Sequence, residues 1–202
     1  MSSPALAARA GDCLFSRVDT TKKRPTEAWL DRRLVEDGFG YVVIARFKAS
    51  GDTEAGVFMV DLKCLGVKNA FLSRLSLLEY ENRLLGEMFV GDDAKESVSP
   101  ACARKLVEAA VAYTRSLGLE PHEDYRLAQR VFGGINPAEC DRDFTFGDQG
   151  KPLFIQGPND SPAFVARVMA QLERRCGPRG FHYLIAPGGE IPGGERLAPE
   201  EP

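Results

Sequence analysis

The chain has 202 residues, 44% hydrophobic and 27% charged, which is long enough and apolar enough to bury a core and excludes a fibrous or wholly disordered chain. A formal charge of −3 sets aside a general nucleic-acid binder, whose phosphate contacts need a basic excess, while leaving room for a local basic face. No apolar run approaches the ~20 residues that a membrane-spanning helix requires, so no membrane partner is expected.

Residues 1–11 carry no charged region followed by an apolar stretch, so a loose N-terminus without a signal peptide is expected. The spacing of Trp29, Leu30, Leu34 and Val35, with Gly38 as a stop, predicts a short helix over 26–37. Two runs rich in Val, Ile and Phe, 41–48 and 57–65, flank a short polar loop and predict an antiparallel hairpin. Residues 70–88 are leucine-rich and are expected to be helical in part.

Ser99 as cap, Pro100 in the first turn and Gly118 past the end bracket a helix, with Leu106, Val107, Ala110, Val111 and Thr114 on one stripe. Pro121 opens a further helix as far as Phe132. Residues 144–146 and 153–156 flank Gly147-Asp-Gln-Gly150, which predicts a second hairpin with Pro152 at an edge. A last helix starts at Ser161-Pro162 and stops at Gly177, followed by a short strand over 181–186. The Pro/Gly/Glu-rich residues 187–202 predict a flexible tail. The expected fold is α+β: a mostly antiparallel sheet built from two hairpins, about 41–65 and 144–156, packed against helices in one domain over 13–186.

Five cysteines, Cys13, Cys64, Cys102, Cys140 and Cys176, are widely scattered with no Cys-x-x-Cys pair, and only His122 and His182 accompany them. That spacing lacks the close ligand pairs of a zinc site, and no metal or other cofactor is expected. Reduced, mostly buried thiols in a cytoplasmic protein are the expectation.

The segment 57–71, Val-Phe-Met-Val-Asp-Leu-Lys-Cys-Leu-Gly-Val-Lys-Asn-Ala-Phe, places an acid inside an apolar strand. A lone buried carboxylate is costly, so Asp61 must be paired, hydrated or functional. Strand alternation puts Asp61 and Lys63 on one face, an Asp-x-Lys spacing that restriction-type nucleases use to hold magnesium and position water. An ordinary ion pair on a sheet face explains the same residues. His122 and Asp124, near a helix start, are the other catalytic candidates. Binding candidates are Lys68 after Gly66, Lys151 before the 157–160 turn, and the basic cluster Arg167, Arg174, Arg175, Arg179 and His182.

Three stretches, 57–71, Gly-Leu-Glu-Pro-His-Glu-Asp-Tyr (118–125) and Phe-Gly-Asp-Gln-Gly-Lys-Pro-Leu-Phe-Ile-Gln-Gly-Pro-Asn-Asp (146–160), resemble the signature of a bacterial family of hypothetical proteins. The resemblance covers most of 13–186 and implies a complete single-domain member in a cytoplasmic bacterial setting. It brings no activity or catalytic residue with it. The expected role is therefore a non-catalytic binding or accessory module of a larger bacterial assembly, with a protein partner. The alternatives are a magnesium-dependent phosphodiesterase or nuclease using Asp61 and Lys63, and RNA or DNA binding through the C-terminal arginine face.

Overall fold

The computed structural model describes residues 25–91 and 94–185, together with the backbone of Glu195–Arg196. The expectations for 1–11 and for most of 187–202 lie outside the described residues.

The first strand, β1 (Thr26–Asp31), runs straight into a short helix, α1 (Arg32–Glu36). Asp31 turns the chain between them: its carboxylate accepts the Arg33 backbone N–H at 3.0 Å and pairs with the Arg33 guanidinium at 2.7 Å. The expected helix over 26–37 is therefore half strand. Ala28 and Leu30 pack into the core on one side of the sheet, and Trp29 packs against the cluster on the other. With both faces covered, the period-2 signature of a strand is lost.

The expected first hairpin is present as β2 (Phe39–Phe47) and β3 (Asp52–Asp61), paired antiparallel from Phe39 opposite Asp61 to Phe47 opposite Thr53. The next strand, β4 (Gly66–Ser76), takes up much of the leucine-rich stretch expected to be partly helical. A capping box formed by Ser76 and Glu79 then starts α2 (Leu77–Glu79), which continues through a π-helical turn, Tyr80–Leu84, into α3 (Leu85–Met88). A short strand, β5 (Lys95–Val98), completes a five-stranded antiparallel sheet in the order β4-β3-β2-β1-β5.

Ser99 and Pro100 open α4 (Pro100–Ser116) as the sequence indicates, with the Ser99 hydroxyl accepting the Cys102 N–H at 3.1 Å. This helix, with α5 (Tyr125–Ala128) and the following 3-10 turn, covers one face of the sheet, around Leu30, Val42, Ile44, Phe58 and Val60. On the opposite face Val43, Ala45 and Val57 meet Tyr80, Leu84, Leu85 and Phe89. The leucine-rich segment is thus a cover for the sheet, with Leu78 and Val90 left exposed.

The second hairpin does not form as expected. Asp148 and Lys151 make one isolated antiparallel bridge across the turn, and β6 (Leu153–Ile155) pairs instead in parallel with β7 (His182–Leu184). Between them runs α6 (Pro162–Cys176), a crossover helix of the kind that parallel strands need. The two-residue strand β8 (Glu195–Arg196) adds in parallel on the far side of β7, so this part of the expected tail is paired. A second core lies here: Phe154, Phe181 and Tyr183 pack with Val165, Val168 and Leu172 against Cys64, Leu65 and Leu117.

The expectation of reduced cysteines is corrected at one pair. Cys102 at the start of α4 and Cys140 form a disulfide across 38 residues, while Cys64 and Cys176 are free thiols. Disulfides persist in oxidising compartments, so the cysteines lend no support to a cytoplasmic setting. Among the described residues no helix is long and apolar enough to cross a membrane.

Candidate functional site

The Asp61 carboxylate has a structural occupation. Strand β3 ends at Asp61, and the chain turns through 62–65 before β4 begins. One Asp61 oxygen accepts the backbone N–H groups of Lys63 at 2.8 Å and Cys64 at 3.1 Å, and the other accepts that of Leu65 at 3.2 Å. Burial of the side chain raises its pKa, against the opposing pull of these three donors and of Lys68. Desolvation outweighs them in sum.

Lys63 belongs to the turn and not to the strand, so the alternation that placed it beside Asp61 stops two residues short of it. Its side chain runs alongside Gly38, with Cε 3.0 Å from where a Gly38 Cβ would stand. Its carbonyl accepts the Leu153 N–H at 3.0 Å and thereby ties the second core to the turn. The Asp-x-Lys arrangement is a closed turn. Among the described residues no group of three His, Cys, Asp or Glu side chains is placed to hold a metal ion.

Directly after this turn the chain does something different. Val60 pairs with Val67 and Met59 with Asn69, so Lys68 is the extra residue of a β-bulge. The bulge re-aims Lys68 off the sheet, where its side chain is 16% exposed and its ammonium lies 3.6 Å from an Asp160 oxygen. That Asp160 oxygen also accepts the Gly157 N–H at 2.8 Å, and the ammonium stands 5.9 Å from the Phe39 ring centre. Gly66 permits the bulge's approach to α4. Its φ is +60°, and a Cβ there would run into the Thr114 hydroxyl and the Ala110 carbonyl.

Lys68 opens into a cleft of about 900 Å³ walled by three stretches distant in sequence: the start of β4, the link between α4 and α5, and α6 with the turn before it. Its floor is apolar, with Leu65, Val67, Leu119 and Val168. The link is held by the His122 N–H donating to the Val67 carbonyl at 2.9 Å, and α6 by the Gln171 amide donating to the Leu117 carbonyl at 3.1 Å. The α6 wall is one helical face. Phe164, Arg167, Gln171 and Arg174 follow each other at steps of three, four and three residues.

The acids at the cleft are not all equivalent. Asp160 is engaged by Lys68 and the Gly157 N–H, and Glu120 pairs with Arg115 at 3.3 Å, which leaves Glu123 at the rim. Arg167 lies over the Phe164 ring at 5.4 Å. Neither Arg167 nor Arg174 forms an ion pair with a described residue.

The structure therefore regroups the sequence candidates. It brings together Lys68, His122, Arg167 and Arg174, and leaves Asp61, Lys63 and Asp124 outside the cleft lining. The His122 Nδ1 accepts the Asp124 N–H at 3.3 Å and stands 3.7 Å from the Asp124 carboxylate. Lys151 sits at the one-bridge turn, away from the cleft. The arginine face divides: Arg175 donates to the Ser116 carbonyl at 2.8 Å, and Arg179 follows the helix in an exposed turn. His182 is buried in β7, and its Nδ1 has no hydrogen-bond partner among the described residues. One basic face carrying all five residues does not exist. Phe164 and Gln171 were missed, although the seven-residue spacing of Arg167 and Arg174 already marks the helical face on which they lie. Burial raises the pKa of the Cys64 thiol, which keeps it from acting as a nucleophile at neutral pH. No protein-family model, curated protein or solved structure matches this chain.

Proposed function

We propose that this chain is a non-catalytic binding module, an accessory part of a larger bacterial assembly, and that its cleft receives an acidic segment of a partner protein. The observation that carries the reading is the pairing of an apolar floor with Arg167 and Arg174, two guanidinium groups two helical turns apart that lack a carboxylate partner among the described residues. A ligand with carboxylates about 10 Å apart matches that spacing, at 1.5 Å rise per helical residue. An apolar side chain between them would cover Leu119 and Val168. Arginine forks favour carboxylates, and partial burial of the ligand strengthens each such contact. The bacterial setting rests on the sequence resemblance.

The test is fluorescence anisotropy with a labelled peptide of mixed glutamate and leucine, against the same peptide with lysine in place of glutamate. Arg167→Glu combined with Arg174→Glu should weaken the acidic peptide by at least roughly tenfold, about 1.4 kcal/mol, and raised salt should weaken the wild-type complex. Equal binding of both peptides, or indifference to the double substitution, would remove the proposal. Retention of a labelled RNA instead of the peptide would favour the nucleic-acid alternative. Magnesium-dependent cleavage of DNA or RNA that disappears in Asp61→Ala would establish the enzymatic one.

A further inference from the structure

The five-stranded sheet ends on one side at β4, and the hydrogen-bond ladder fixes which way each residue of that edge points. Phe47 donates its N–H to the Pro25 carbonyl at 2.9 Å, on the β1 side, so it exchanges no bonds with Thr53 opposite it. Thr53 therefore bonds to Leu75 of β4, and by alternation Leu75, Ser73 and Phe71 face β3. Arg74, Leu72 and Ala70 turn their N–H and C=O groups outward.

This outward row is closed at both ends. Ser76 donates its N–H to the Glu79 carboxylate at 2.9 Å. At the other end the Val67 carbonyl accepts the His122 N–H at 2.9 Å, and Ala70 is only 2% exposed. Leu72 and Arg74 remain between them, and their outward backbone groups have no partner among the described residues. Native sheet edges are usually blunted by proline, lysine or a bulge. Residues 71–75, Phe-Leu-Ser-Arg-Leu, carry none of these, since the bulge sits earlier, at Lys68. Their single charge, Arg74, has its own counter-ion in Glu54 at 3.5 Å.

We infer that this edge pairs antiparallel with the same edge of a second copy, about a two-fold axis through Ser73, so that two five-stranded sheets become one continuous sheet. The free groups select the register. An axis at Ser73 sets Leu72 opposite Arg74 of the second copy and Arg74 opposite its Leu72, so the two open residues of each chain satisfy one another. An axis at Leu72 or at Phe71 would require Ala70, which is covered, and the latter would also oppose Arg74 with Lys68, two like charges. With the axis at Ser73, Phe71, 36% exposed, lies beside Leu75 of the second copy, twice by symmetry. These are non-hydrogen-bonded pairs, in which cross-strand side chains approach most closely. None of residues 71–75 lines the cleft, so the pairing is independent of any ligand held there.

Sedimentation of the full chain tests the association, with a dissociation constant at or below about 100 μM expected. Leu72→Pro removes one outward N–H from each copy without touching the bonds to β3, and should weaken the dimer at least roughly tenfold. Circular dichroism shows whether that variant folds as the wild type does. Ser73→Cys reports the register whether or not the proline is tolerated. Opposite Ser73 residues have Cα atoms about 4.5 Å apart in such a pair, so oxidised glutathione should link two copies through the introduced thiols. Leu75→Cys is the control: the two positions lie more than about 13 Å apart along the strands, too far to bridge, and linkage should stay at the wild-type level. A chain still monomeric at about 1 mM overturns the inference, also where the edge instead takes up an extended segment of another protein. A dimer that links through Leu75→Cys and not through Ser73→Cys, or that is indifferent to a folded Leu72→Pro, overturns it equally.

Discussion

Asp61 and Lys68 stand seven residues apart on one continuous piece of chain, and the fold treats their charges in opposite ways. Asp61 is 6% exposed, and its carboxylate is occupied by three backbone donors of its own turn. Lys68 is lifted out of register by a bulge and faces an open cleft with one acidic neighbour at 3.6 Å. A carboxyl group spent on closing a turn contributes to folding through the hydrogen bonds that it accepts. A charge aimed into a cleft is available to a ligand. The difference separates a structural residue from a functional one more sharply than residue type does, because an aspartate inside an apolar strand looks the more suspicious of the two in sequence.

The largest effect that tests this contrast is Asp61→Ala. It leaves three backbone N–H groups without an acceptor, two of them in buried surroundings. At roughly 1 kcal/mol or more for each orphaned donor, the loss should reach about 3 kcal/mol. Urea unfolding measures it directly, and probe binding by the folded fraction should be unchanged. A loss below about 1 kcal/mol would mean that the carboxylate is not the closure of the turn.

How much of this was readable beforehand follows from where the signals sit. The helix α4 and the start of α6 were legible because their caps are local: Ser99-Pro100 and Ser161-Pro162 each accept an N–H three residues on. The hairpin of β2 and β3 was legible from two apolar runs around a polar loop. The strand β6 was seen, but its partner was not, since β7 lies beyond a whole helix and no local pattern encodes a parallel pairing. The leucine-rich stretch hid an 11-residue strand, β4, because a bulge near its start shifts the register and this edge strand leaves Asn69, Phe71, Arg74 and Ser76 exposed, so its apolar residues keep no strict alternation. The cleft was out of reach for a related reason. Lys68, His122 and Arg167 meet only through tertiary packing, and the bulge that turns Lys68 outward has no mark in sequence beyond Gly66.

A middle-sized effect separates the charge of Asp61 from its shape. Asp61→Asn retains an oxygen for Lys63 and Cys64 but turns a donor toward the Leu65 N–H, so its cost at neutral pH should be about 1 kcal/mol, less than that of the alanine. The pH dependence is the sharper measurement. The folded-state pKa of Asp61 is raised, with burial as the main cause. The protonated form is therefore favoured by folding, and the associated stability is fully present below the unfolded pKa of about 3.9. It is lost as pH rises through the raised folded value. The difference in unfolding free energy between wild type and Asp61→Asn should accordingly fall as pH climbs out of the carboxylate range. A difference that rises with pH would show that the three N–H donors outweigh desolvation.

The smallest effect on stability should come from Lys68→Met, and it is the substitution that most directly sets the two residues against each other. Methionine keeps an unbranched apolar chain of similar length in the bulge, so packing near Phe39 is retained and only the ammonium is lost. The Lys68–Asp160 pair is partly exposed, and Asp160 still accepts the Gly157 N–H after the change. A loss of about 0.5–1 kcal/mol is expected in urea unfolding. Binding of the acidic probe should fall several-fold in the same protein, whereas Asp61→Ala shows the reverse: a large stability loss with intact binding by the folded fraction. If Lys68→Met costs as much stability as Asp61→Ala and leaves binding intact, Lys68 is a second structural charge. The open and closed ends of this segment would then have the same physical role.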